Sequence, residues 1–100
     1  MREKFLELRE LFSDPKKWTR GCLSRDAKGN PPWKSSGEPV RWCAVGGINK
    51  IFQNIDDSDD AQALLCNALR PGYYGIIEAN DQPGGRKIIL KAIDKVLKSV

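Results

Sequence analysis

Apolar residues recur at spacings of three and four near both ends of the chain, and between those regions lies a stretch with no period at all. Phe5, Leu8, Leu11 and Phe12 are separated by Glu and Arg, the pattern of an amphipathic helix over residues 2–12. Ser13-Asp14-Pro15 ends it, because the residue before a proline avoids helical geometry. After Gly85, one face carries Ile89, Ala92, Ile93, Val96, Leu97 and Val100, and the other carries Lys87, Lys91, Lys95 and Lys98. That division predicts a closing helix with a solvated lysine stripe. From Lys16 to Ser36 the pattern dissolves into Gly21, a short strand near Cys22 and Leu23, a turn at Lys28-Gly29-Asn30, and Pro31-Pro32. A loop of that length in a compact domain is functional or disordered, which makes it the first place to seek a site.

Two further helices are expected between these landmarks. Ser35 followed three residues later by Glu38 reads as a capping box, with Pro39 in the first turn of a helix reaching about Asn54. Its stripe is Ala44, Ile48, Ile51, Phe52 and Ile55, flanked by Val40 and Val45, and it carries Gly46 and Gly47 in mid-helix. The preferred reading of these glycines is a closely packed neighbour; a ligand approaching the backbone is the alternative. Asp56 to Asp60 supply an N-cap and acidic first turn for a third helix over residues 59–69, packed through Ala61, Leu64, Leu65 and Ala68. Tyr73 to Ala79 reads as extended or irregular. The fold class is therefore mainly α: one domain, residues 1–100, a bundle of about four helices. A long loop separates its first two helices, and an irregular segment precedes its last.

Composition narrows the chemistry. There is no histidine, so every mechanism that needs imidazole as base or ligand is excluded. Cys22, Cys43 and Cys66 lack the paired spacing of a zinc or redox motif, and no cofactor motif is present. An odd, sparse set of thiols suits a reducing compartment, and no apolar run reaches membrane-spanning length. The reading is a cytoplasmic protein, without metal, cofactor or membrane partner. The excess of four positive charges is uneven. Residues 15–50 hold eight Lys or Arg against two acids, 51–81 one against six, and 82–100 five against one.

Within the loop, Lys16, Lys17, Trp18, Arg20, Lys28, Trp33 and Lys34 interleave cations with two indoles, as single-stranded nucleic-acid binders do. The plainer reading has Trp18 anchoring the loop to the core. Cys43, beside Arg41 and near a helix start whose dipole favours a thiolate, is the most tempting nucleophile, but it has no partner base, and the preferred reading of a cysteine between Trp42 and Ala44 is a buried structural thiol. On the expected helix Arg41 falls within the apolar stripe, so a buried ion pair with Asp26 or Asp81 is expected.

Several of these residues stand in a recurring order: Trp18-Thr19-Arg20-Gly21, Arg25-Asp26-Ala27-Lys28-Gly29, Val40-Arg41-Trp42-Cys43-Ala44-Val45-Gly46-Gly47, and Asn80-Asp81 followed by Pro83-Gly84. In this order the chain resembles an uncharacterised domain-of-unknown-function family of bacteriophage and bacterial genomes, over about residues 5–98. Members of that family carry tryptophan before the Asn-Asp pair, where this chain has Ala79, and alanine where it has Gly47. The resemblance implies a helical fold and a mobile-element origin, with no established activity. It singles out Arg25, Asp26, Arg41, Asn80 and Asp81, which form either an internal hydrogen-bond network, the preferred reading, or the lining of a ligand site. The leading functional expectation is a small non-enzymatic interaction module, phage-derived or horizontally acquired, binding a host macromolecule, a protein before all. The alternative is a nucleic-acid binder using loop 16–34 and the C-terminal lysines. A lesser one is a small-ligand receptor or enzyme.

Overall fold

Helix α1, Arg2–Ser13, and helix α5, Gly85–Leu97, lie against each other in the computed structural model, which describes residues 1–100. Phe5, Leu8 and Phe12 of α1 and Ile89, Ala92, Ile93 and Val96 of α5 are buried in a single core. The edges of this pair are tied by polar contacts. Arg9 Nε meets Asp94 Oδ1 at 2.6 Å, and Arg86 donates to the Phe12 carbonyl at 2.9 Å, placing a cation at the C-terminus of α1. Helix α3, Ile55–Leu69, packs on α5 through Ala61, Leu65 and Leu69. Helix α2, Ala44–Ile51, sits between α1 and α3, and its neighbour Phe52 meets the Phe5 ring edge to face at 5.5 Å. A six-residue helix α4, Ile76–Asp81, closes the base of the bundle against α2, α3 and α5. The protein is mainly α, with five helices and one very small sheet.

That sheet overturns the expected start of the second helix. Strand β1, Ser24–Arg25, pairs antiparallel with β2, Arg41–Trp42, with Ser24 opposite Trp42 and Arg25 opposite Arg41. The pairing extends on either side, from Val40 N–H to the Arg25 carbonyl (2.8 Å) and from Cys43 N–H to the Leu23 carbonyl (3.1 Å). Donors engaged in a ladder cannot serve a helix, so α2 waits until Ala44, with Cys43 as its N-cap. Ser35 does not cap a helix; its hydroxyl donates to Asp26 and accepts from the Gly37 N–H. Trp18 forms an isolated bridge beside Trp42, and Thr19 N–H donates to the Trp42 carbonyl at 3.0 Å.

Two other boundaries move. Asn54 ends the second helical region by capping the third, its Oδ1 accepting from Asp56 N–H (2.8 Å) and Asp57 N–H (3.2 Å). Ile55 therefore leaves the α2 stripe, stands at the first turn of α3 and is 77 % exposed. The segment expected to be extended is helical from Ile76 onward, because Ile76, Ala79 and Asn80 put one face into the core over a run too short to show its period.

Gly46 and Gly47 admit close neighbours. A Cβ on Gly46 would overlap the carbonyl oxygen of Leu23, and one on Gly47 would lie 2.6 Å from Cζ of Phe12. Backbone yields less readily than a side chain, so Gly46→Ala is expected to destabilise by about 1–3 kcal/mol in urea denaturation. Gly75→Ala, with nothing near its added methyl group, is expected to change stability much less. Equal stability of the wild type and Gly46→Ala would contradict the close approach of loop and helix.

Candidate functional site

The side chain of Asn80 is the junction of the lower half of the molecule. Helix α4 carries it into the interior, where it is 1 % exposed. Its Oδ1 accepts from the Trp18 indole N–H at 3.1 Å and from the Ala44 N–H at 2.9 Å. Its Nδ2 donates to the Thr19 carbonyl and to Asp81 Oδ1, both at 3.1 Å. Both lone pairs and both hydrogens of the amide are thus engaged. The bond to Ala44 satisfies one of the free N–H groups at the start of α2, while the Cys43 sulfur accepts from Gly46 N–H at 3.4 Å.

From Thr19 the network continues into the loop. Thr19 Oγ1 accepts from Arg25 Nε at 2.9 Å, and the two terminal nitrogens of Arg25 donate to the carbonyls of Gly29 (3.0 Å) and Arg20 (3.2 Å). Asp81 Oδ1 also accepts from Gly21 N–H at 3.1 Å, fixing a turn where Gly21 has φ +85°. Arg25, Asn80 and Asp81 therefore belong to one connected set through Thr19 and the chain at 20–21. Asp26 anchors the adjoining turn, which the Arg25 bond to the Gly29 carbonyl ties to this set. Its buried carboxylate accepts from Asn30 N–H (2.9 Å), Lys28 N–H (3.0 Å) and the Ser35 hydroxyl (2.8 Å). The Asn30 N–H is the main reason its pKa lies below the usual aspartate value, against an opposing push from burial.

Arg41 joins neither the set nor the turn. It lies exposed on β2, the protein's one ion pair is Arg9–Asp94, and the expected pairing with Asp26 or Asp81 is absent. Its apparent burial came from a helical wheel drawn over residues that are extended. The basic loop also divides. Lys16, Lys17, Arg20, Lys28 and Lys34 are exposed, but Trp18 is half-buried on Asn80 whereas Trp33 is 72 % exposed. The two indoles do not form one stacking platform.

Above Asn80 the loop, α2 and α4 enclose a pocket of about 170 Å³. Leu23, Val45, Ile76 and Ile77 give it apolar walls, Cys22 and Cys43 also line it, and Asp81 is its only charged residue. Leu23 and Ile77 stand at its rim, 46 % and 60 % exposed. Burial pushes the Cys43 thiol above its ordinary pKa, the N–H groups of Gly46 and Val45 only partly oppose this, and the Asp81 charge adds to the rise. The thiol is held protonated at neutral pH, which fits the preferred reading of Cys43 as a buried structural thiol and not the activated nucleophile. The sequence reasoning did not single out Cys22, Leu23, Ile76 or Ile77. Their signal was an apolar pair within a basic loop, and an Ile-Ile step of which a helix can bury only one.

Over residues 2–98 the chain matches the model of a family described as a family of unknown function, DUF6197. It belongs to that family. No curated protein and no solved structure matches it. Of the residues that carry the resemblance, Trp18, Thr19, Arg25, Asn80 and Asp81 close the network of this DUF6197 domain, whereas Arg41 stays outside it. The two departures, Ala79 and Gly47, both lie buried in the packed interior. No helix in the domain is long and apolar enough to cross a membrane.

Truncating Asn80 would leave the Trp18 indole, the Ala44 N–H and the Thr19 carbonyl without partners. At about 1–3 kcal/mol for each orphaned group, Asn80→Ala is expected to lower stability by on the order of 3 kcal/mol in urea denaturation. A loss under about 1 kcal/mol would show that these bonds are not what holds the loop.

Proposed function

We propose that this domain is a non-enzymatic interaction module that binds a protein partner through the pocket between the Cys22–Leu23 segment, α2 and α4. The exposed Leu23 and Ile77 side chains flanking that apolar pocket carry the reading. Contiguous exposed apolar groups around a concavity favour contact with a partner over contact with water. The polar residues of the family pattern are occupied with internal hydrogen bonds, so their role in this reading is to shape and hold the face. The three free thiols suit a reducing bacterial cytoplasm, and the resemblance to phage-borne proteins suits a host macromolecule as target.

Ile77→Glu is expected to weaken the complex with a partner retained stoichiometrically by the wild type at least tenfold while leaving the denaturation midpoint unchanged. Failure to find a stoichiometric partner, or equal retention by Ile77→Glu, would count against the reading. A second reading, nucleic-acid binding, is favoured by Trp33, 72 % exposed beside Lys34. It requires binding that falls steeply with salt and drops with Trp33→Ala, Lys16→Glu or Lys17→Glu. Absent or salt-independent binding to single and double strands removes it.

A further inference from the structure

At its solvent-exposed edge the pocket carries one charge, Asp81, that no cation of the protein pairs with. Asp81 Oδ1 is engaged by Gly21 N–H and Asn80 Nδ2, both at 3.1 Å, which orients the carboxylate. Its Oδ2 has no hydrogen-bond partner, no cation of the protein pairs with it, and no Lys or Arg lines the pocket. The other polar group on the wall, the Asn80 amide, has all its positions filled. Apolar walls with a single negative oxygen call for a cation on an apolar stem.

Size and geometry narrow the choice. A cavity of about 150 Å³ accommodates a benzene-sized group, so a pocket of about 170 Å³ has room for the side chain of any one aliphatic or long basic residue. Nucleotides and sugar phosphates are too large, and their charge has the wrong sign. An arginine guanidinium gains most by gripping both carboxylate oxygens, but Oδ1 of Asp81 already accepts from two donors. An ammonium needs only one oxygen, and a lysine stem lies readily along apolar surface. Glu78, exposed one turn earlier on α4, adds negative potential nearby.

We infer that the pocket receives a lysine side chain of the protein partner, its methylenes against Leu23, Val45 and Ile77 and its ammonium on Oδ2 of Asp81. This rests on the interaction reading above and names the chemistry that face recognises.

The test is an amide chemical-shift titration of the whole protein with three probes: n-butylammonium, n-butanol, and a short capped peptide bearing one lysine, compared with its norleucine counterpart. Butylammonium and the lysine peptide are expected to shift Gly21, Cys22, Val45 and Ile77, and to bind at least tenfold more tightly than butanol and the norleucine peptide. Asp81→Asn, which keeps the acceptor for Gly21, is expected to abolish that preference. Equal binding of charged and neutral probes to the wild type overturns the inference without needing any variant, and leaves the interaction reading to its own partner test. Binding of butylammonium but not of the lysine peptide assigns the pocket to a free amine and overturns the lysine source. A preference that survives in folded Asp81→Asn overturns the role of the carboxylate.

Discussion

One buried carboxamide, that of Asn80, joins parts of the molecule that no continuous apolar face could join. The chain between α1 and α2 has few apolar side chains of its own, and its backbone polar groups need partners wherever they leave water. Asn80 supplies both an acceptor and a donor at the depth where Trp18, Thr19 and the start of α2 converge. The small sheet, the Thr19–Arg25 contact and the turn at Gly21 all extend from that point. A residue with only donors or only acceptors could not replace it, since Oδ1 and Nδ2 face groups of opposite kind.

The helical framework was legible wherever the period ran long enough. Helices α1 and α5 and the buried face of α3 follow from spacings of three and four, because burial of one stripe is a local property of the sequence. The start of α2 was not legible. Ser35 and Glu38 imitate a capping box, while the competing ladder depends on Ser24 meeting Trp42 across a long loop, a contact that leaves no local trace in two-residue strands. That mistake carried Arg41 onto a helical face it does not occupy. Helix α4 was hidden for another reason: six residues are too few to distinguish a buried turn of helix from a strand.

The site divides along the same line. The family pattern marks Asn80, Asp81, Arg25 and Thr19, which are connected in the fold, but it marks Asp26 equally, and Asp26 serves the adjoining turn around Asn30 and Ser35. The pocket walls are shared: Gly21, Cys43, Val45, Asn80 and Asp81 stand in the family pattern, but Cys22, Leu23, Ile76 and Ile77 do not. A rigid polar network beneath and an apolar rim above is a sensible division of labour, since groups held in fixed geometry lose little freedom when a partner arrives. Asp81 belongs to both layers: its Oδ1 is engaged by the scaffold, and the residue lines the exposed edge of the pocket. The uneven charge of the chain is then two separate matters, cations spread over exposed loop and helix surfaces, and one carboxylate at the edge of an apolar pocket.

Hydrogen exchange at the Trp18 indole N–H tests the central role of Asn80 most directly. The expected result is protection comparable to that of core amides in α1 and α5, with exchange only through global unfolding, because the indole is held by a buried acceptor. Rapid exchange of that proton while the α1 and α5 amides remain protected would contradict the account, since the loop would then open without regard to the helices beneath it.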